Sequence, residues 1–274
     1  MVVPAPLCEG ISWVSDRRWR CEIEGRRTEG EPSLPASLIR KLESIFPLSE
    51  DERSALESLP IQVAHFGPDQ DIVRIGDRPS RCFLVQDGFT CSYKITGEGA
   101  RQILNFHIAG DIPDLQSLHL TVLDRSIGTI TPCAVGFIPH EALHDLCGRH
   151  YRITSALWRE TLVDAAIFRE WIVNNGKREA YPAMAHLLCE MVMRLRAVGL
   201  TQDYRCDLPI TQSELADALG ISTVHANRVL QDLRGAGLIT LKERTLTVLD
   251  WEGLKGAGDF DPTYLHLEPG AKAA

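Results

Sequence analysis

Thr211-Gln-Ser-Glu-Leu-Ala-Asp-Ala-Leu-Gly-Ile-Ser-Thr-Val-His-Ala-Asn-Arg-Val-Leu-Gln-Asp-Leu233 carries the pattern of two short helices joined by a tight turn. Thr211 and Glu214 have the spacing of a capping box, in which the hydroxyl takes a first-turn amide and the carboxylate reaches back. Leu215, Ala216 and Leu219 give the first helix an apolar face, and Ala216 is small enough for a close helix crossing. Gly220 suits the turn, Ile221 plugs the corner, and Ser222 caps a second helix whose Ala226, Val229, Leu230 and Leu233 point inward. These residues fall where a helix-turn-helix needs them. Ser222, Thr223, His225, Asn227 and Arg228 are left facing outward, short polar groups plus one Arg that suit base edges and phosphates. Leu238 to Leu249 then reads as two β runs around Lys242-Glu243-Arg244, a wing with a basic tip. DNA binding is the expected function of this stretch, with Thr211, Gln212, Val224, Lys242 and Arg244 completing its surface.

Upstream the pattern differs. Between about 60 and 138, short apolar runs alternate with Gly67-Pro68, Gly76-Asp77, Asp87-Gly88, Gly97-Glu-Gly99 and Gly110-Asp111. Turn signals every 9 to 12 residues predict an antiparallel sandwich or roll. Cys82 to Tyr93 reads as a hairpin with Asp87-Gly88 as its two-residue turn, Leu84 facing Cys91 and Cys82 facing Tyr93. After Pro139 the period becomes helical: a short helix from His140 to Cys147, then a long one from about Tyr151 to Val173. The second half of the long helix is apolar nearly all round, so it must be covered on more than one side. Asn174-Asn175-Gly176 is expected to break it as a hinge. A further helix is expected over about Glu179–Val198.

The chain has 274 residues and a formal net charge of −8, which excludes a polybasic nucleic-acid coat. Acidic and basic residues balance between 177 and 250, so any DNA contact belongs there. No apolar run approaches a membrane span and no signal peptide is visible, which predicts a cytoplasmic protein without a membrane partner. The 8 cysteines contain no CxxC pair and read as reduced thiols.

In this order, the motifs resemble the Crp/Fnr superfamily of bacterial transcription regulators over about residues 35–250. Ile75-Gly-Asp-Arg-Pro79, Phe83-Leu-Val-Gln-Asp-Gly88, Phe106-His-Ile-Ala-Gly-Asp111, Phe137-Ile-Pro-His140 and Leu219 to Leu230 carry the resemblance. It implies an α+β chain with a cyclic-nucleotide-binding-like β-roll of jelly-roll type (36–150), a dimerisation helix and hinge (151–176) and a winged helix-turn-helix (177–252); outside it lie residues 1–35, whose Gly and Pro punctuation without a helical period reads as a flexible extension, and a C-terminal tail (253–274). It also implies a homodimer on an inverted-repeat operator, with RNA polymerase as a further partner. Leu157, Val163, Ile167 and Trp171 are the expected dimer contacts. Arg228 matches the family's guanine-reading Arg, and Val224 stands where many relatives have Glu.

Members that bind cyclic AMP carry Gly-Glu followed by Arg-Ser. Here Arg125-Ser126 is in place, but Asp114-Leu115 replaces Gly-Glu, and Leu cannot accept a ribose hydroxyl. Asp114, Arg125, Ser126, Ile167 and Phe168 are the candidates for an effector pocket, whose ligand is a cyclic nucleotide or another small molecule, with cyclic AMP itself disfavoured. Cys8 and Cys21 have no third cysteine nearby, so no iron–sulfur cluster is expected. His65, His107 and His119 are the roll's histidines and none is singled out as a haem ligand. His140, His144 and Cys147, with His150 nearby, are spaced by four and then three, which puts the first three on one helical face that can hold zinc, although a solvated helix face accounts for them better and no metal is expected. Cys189 lies among Leu187, Leu188 and Met191, which predicts an inert buried thiol. No nucleophile elbow, P-loop or paired-carboxylate motif is present, and no enzyme is expected. A metal-dependent cupin-like enzyme and a ligand-gated interaction module without a DNA target are the competing readings.

Overall fold

The computed structural model describes residues 36–268. The extension 1–35, with Cys8 and Cys21, and residues 269–274 lie outside the described residues. Two short helices open the chain, α1 (Ala36–Glu43) and α2 (Glu50–Glu57). The second starts at a complete capping box: Glu52 N–H donates to Ser49 Oγ at 3.3 Å, and Ser49 N–H to Glu52 Oε2 at 2.7 Å. Seven strands follow, β1 (Gln62–Phe66), β2 (Asp71–Val73), β3 (Arg81–Asp87), β4 (Thr90–Ile95), β5 (Arg101–His107), β6 (Ser126–Thr129) and β7 (Cys133–Pro139). They form two antiparallel sheets, ordered β1-β7-β3 and β2-β6-β4-β5. Phe83, Val85, Ile127, Val135 and Phe137 fill one core of the roll.

Asp87-Gly88 is not a hairpin turn. β3 pairs with β7, whereas β4 pairs with β5 and β6, so the turn carries the chain from one sheet to the other. The ladder slips between Val85 and Asp87, and Gly88 has φ +88°. A Cβ there would stand 2.5 Å from Pro132 O and 2.6 Å from Cys133 Sγ, so the crossing needs glycine for space as well as for backbone conformation.

Helix α3 (His140–Arg149) leads into α4 (Tyr151–Lys177) and then α5 (Ala180–Ala197). The expected hinge at Asn174–Gly176 is corrected. α4 runs through it to Lys177, and the break falls at Arg178 and Glu179, both extended. Asn174 is buried and its Nδ2 donates to Ala183 O at 3.1 Å, so this side chain ties the end of α4 to the start of α5. The expected dimer contacts are corrected too. Leu157, Val163, Ile167 and Trp171 are all buried within the chain. They belong to the stripe Ile153, Leu157, Glu160, Val163, Ile167, Trp171, Asn174, which faces the roll and α5. The other apolar side of α4 is open: Trp158 is 67% exposed, Leu162 55% and Ile172 72%. Apolar residues on both sides of one helix give no sequence signal for which side stays within the chain.

The C-terminal part comprises β8 (Arg205–Asp207), α6 (Gln212–Leu219), α7 (Thr223–Gly235), β9 (Ile239–Lys242), β10 (Thr245–Val248) and α8 (Trp251–Ala257). The three strands make one sheet ordered β8-β10-β9. The stretch read as a tail is packed: Leu254, Phe260 and Leu265 are buried. A continuous core joins Phe106 of the roll, Trp171 of α4, Leu188 of α5 and Leu230 of α7.

Candidate nucleic-acid interface and effector region

Helices α6 and α7 pack on the core that they share with α5 and the roll. Glu214 N–H donates to Thr211 Oγ1 at 3.2 Å and Thr211 N–H to Glu214 Oε2 at 2.7 Å, so the capping box satisfies two amides at the α6 start. Gly220 ends α6 in the left-handed region at φ +64°, and Ile221 N–H closes the turn onto Ala216 O at 3.1 Å. Ser222 Oγ then accepts His225 N–H at 3.2 Å and starts α7. Ala216, Leu219, Ala226, Val229, Leu230 and Leu233 are buried beneath the pair.

The opposite face of α7 is bare. Ser222, Thr223, Val224, His225 and Arg228 are exposed, Asn227 is half-buried, and Val224 reaches 82%. An exposed valine between polar neighbours at a helix start is hard to explain by packing, and its methyls match a thymine methyl in shape and polarity. The wing places Lys242 and Arg244 in the open on either side of Glu243. Glu243 and Arg244 both have positive φ, +48° and +67°, which gives the two-residue turn the twist of its flanking strands. Thr211 Oγ1 also lies 2.8 Å from Glu214 Oε2, so its hydroxyl is spent on the cap. Gln212 is half-buried beside it.

In the roll, Arg125 and Asp114 come close, but both are engaged. Arg125 Nη2 donates to Pro113 O at 2.8 Å and Nε to Ser92 Oγ at 3.2 Å. With the Gln116 amide turned by its hydrogen-bonding pattern, Oε1 accepts from both guanidinium Nη atoms at 2.9 and 3.0 Å. Ser92 Oγ in turn lies 2.7 Å from His107 Nε2, and both residues are fully buried. Burial holds the His107 imidazole down to about 3, so it stays neutral. This Arg125–Ser92–His107 chain escaped sequence reasoning; its only signal is the polar alternation Thr90/Ser92 and Asn105/His107 on adjacent strands. Asp114 accepts Phe83 N–H at 2.9 Å through Oδ1, and burial raises its carboxyl to about 7. Ser126 Oγ accepts Ile75 N–H at 3.1 Å. Ile167 packs elsewhere, with Ile45 and Val163 beside Lys41 and Arg194, while Phe168 is half-buried. A cyclic phosphate entering beside Arg125 would have to displace its protein acceptors Pro113 O, Ser92 Oγ, Gln116 Oε1 and Asp124 Oδ1 and approach the buried Asp114 carboxyl. These residues do not fit that ligand.

The histidine constellation does not converge on a metal. His140 Nε2 meets Ser117 Oγ at 3.0 Å, and His144 stacks edge-on to His119 at 5.8 Å. Among the described residues, no three His, Cys, Asp or Glu side chains form a metal-sized cluster. Cys189 is fully buried and its thiol is pushed up to about 12.

Between roll and helix-turn-helix lies a buried ionic seam. Lys41 Nζ reaches Asp111 Oδ1 at 2.8 Å and Glu160 Oε1 at 3.2 Å. Arg194 reaches Asp111 Oδ2 at 3.2 Å and Glu190 Oε1 at 3.3 Å, and also donates to Phe106 O and Asn105 Oδ1. Burial raises the Glu160 carboxyl to about 7, although Lys41 opposes the shift.

Comparison with known proteins places this geometry. Residues 63–150 match the cyclic nucleotide-binding domain, and residues 183–257 match the Crp-like helix-turn-helix domain. The chain is a Crp/Fnr-type transcription regulator. The fumarate and nitrate reduction regulatory protein of Vibrio cholerae is 23% identical over 206 residues, covering 75% of this chain and 82% of the relative. Electron transport regulator A of Shewanella oneidensis shows the same identity and the same coverage. The structure of FixK2 from Bradyrhizobium japonicum superposes with a TM-score of 0.67 at 22% identity, covering 73% of this chain and 98% of the other. A CooA mutant from Carboxydothermus hydrogenoformans gives 0.58 at 18%, covering 80% and 94%. The Crp/Fnr regulators bind DNA and are not enzymes, which disposes of the cupin-like reading. The match to residues 63–150 gives this regulator a cyclic nucleotide-binding-like domain. Among the described residues, no helix is long and apolar enough to cross a membrane.

Proposed function

We propose that this Crp/Fnr regulator acts as a homodimer that reads an inverted repeat with the exposed face of α7. The observation that supports this best is the exposed set Ser222, Thr223, Val224, His225 and Arg228 on a helix whose opposite side is buried in the core. Arg228 is the guanine reader, Val224 and Thr223 meet a thymine methyl, and His225 and Asn227 line the same groove. Ser222, Thr211, Gln212, Lys242 and Arg244 flank the duplex backbone. The α7 start contributes unpaired amides there as well.

The dimer forms along the outer side of α4. Tyr151, Ser155, Trp158, Leu162, Ala165, Arg169 and Ile172 are spaced alternately by four and three residues, the seam of a two-stranded coiled coil. Two-fold pairing sets the two recognition helices about one helical turn apart on DNA. The effector is a small molecule other than cyclic AMP, because the Arg125 guanidinium is satisfied within the chain. RNA polymerase is the downstream partner, in the cytoplasm. Sedimentation of the purified protein alone and with a duplex inverted repeat tests the assembly. A dimer that binds one duplex with steep salt dependence is expected; a monomer that binds single half-sites only contradicts it.

A further inference from the structure

The segment after α8 lies beyond the region that matches the helix-turn-helix model, and it does not stay on that unit. Gly258 starts it against α5: His186 Nδ1 lies 3.1 Å from Gly258 O, and a Cβ on Gly258 would stand 2.5 Å from His186 N. Tyr264 stacks on the His186 ring at 5.8 Å, and its hydroxyl donates to Glu190 Oε2 at 2.7 Å. That carboxylate also takes Trp171 Nε1 from α4 at 3.2 Å. The segment then crosses to the sensor side. Leu265 and Leu267 close over Lys41, Ile45, Val163 and Ile167, leaving a cavity of about 10 Å³. His266 O accepts Arg159 Nη2 at 3.4 Å, and Glu268 N–H donates to Ser44 O at 2.8 Å.

The segment therefore leaves the unit on one side of the break at Arg178 and ends on α1 and α4 on the other. The helix-turn-helix unit cannot swing about Arg178 unless the strap lets go at one end: either Leu265 leaves the pocket between α1 and α4, or the Tyr264–Glu190 bond opens. The roll grips the same unit from the far side through Arg101–Asp217 and through Gln102 on Ala218 O, and these contacts lie behind α6, clear of the exposed α7 face. We infer that Gly258–Glu268 is a strap that fixes how the unit is presented and so sets which half-site spacing the regulator accepts. The spacing part rests on the homodimer reading above. Pre-organising the two recognition helices removes an ordering loss on binding, and it penalises every spacing that would require the units to turn.

The test compares the full chain, a chain ending at Phe260, and Leu265→Asp in the full chain. Hydrogen exchange on the free proteins reads the strap without DNA. Exchange should accelerate at Ile103–His107 and around Ile45 in both variants. Affinity for inverted repeats lengthened or shortened by one base pair reads the spacing. The full chain should prefer one spacing by about tenfold or more, and the variants should lose most of that preference while still binding a single half-site as the full chain does. Unchanged exchange overturns the strap. Faster exchange with an unchanged spacing preference reduces the segment to a stability element and overturns the proposal. If the full chain itself shows no preference for an inverted repeat, the dimer reading fails and the spacing role with it, while exchange still reports the strap.

Discussion

Arg101 Nε lies 2.7 Å from Asp217 Oδ2, so strand β5 of the roll holds the first helix of the helix-turn-helix in its own chain. Ala218 O, one residue on, accepts from Gln102 Nε2 at 3.1 Å and from Asn175 Nδ2 at 3.0 Å. The other end of β5 carries His107, which ends the chain from Arg125. One strand thus touches both the effector region and the DNA-reading unit.

Arg101→Glu and Asp217→Arg should each lower the melting temperature and change operator affinity in the same direction, and the double swap should restore both. The pair is about one-third exposed, so the coupling energy should be on the order of 1 kcal/mol or less. A double-mutant cycle on thermal unfolding and on DNA titration checks it.

Leu162→Glu should turn the dimer into a monomer with little loss of monomer stability, because Leu162 is open to solvent. Ile167→Ala should instead destabilise the monomer fold by about 2–5 kcal/mol, since it removes a fully buried side chain. Analytical ultracentrifugation and denaturant titration separate the two outcomes.

The two sides of α4 also mark how far the sequence could be read. Thr211, Glu214, Gly220 and Ser222 each have one local job, and local rules locate such residues. Trp158 and Val163 are equally apolar, and only the tertiary fold decides which one faces the roll. Asp87-Gly88 has hairpin chemistry, but Gly88 is needed because Pro132 and Cys133 crowd it, which no local pattern reports. Arg125 was legible as a charge in a known place. Its capture by Pro113, Gln116 and Ser92 depends on distant backbone.

Gly88→Ala should destabilise by several kcal/mol, because it adds both a positive-φ penalty and a clash with the Pro132 carbonyl. Gly76→Ala has the same φ problem without the crowding, and it should be milder. Paired urea denaturations check the difference.

Stability should fall as pH rises through about 7. Glu160 is raised in the folded chain, so its protonated form contributes fully below its unfolded value, and that contribution is lost as the pH passes the folded value. The effect is on the order of a few kcal/mol. Asp114, raised to about 7 as well, contributes a decline of the same sign, so Glu160→Gln should make the fall between pH 5 and 8 shallower without abolishing it. His107 works in the opposite sense, since its folded value is lowered: its contribution is lost as pH falls below about 6.5. Melting temperatures across pH for wild type and Glu160→Gln decide whether the Glu160 carboxyl is one of the groups that titrate.

The most direct measurement is the affinity of wild type and Arg228→Ala for an operator and for versions of it with each half-site base pair changed in turn. Wild type should lose about 1–3 kcal/mol at one guanine position per half-site, and Arg228→Ala should lose that discrimination alone, with its salt dependence nearly intact. If Arg228→Ala discriminates at every position as wild type does, the exposed face of α7 does not read DNA in this way.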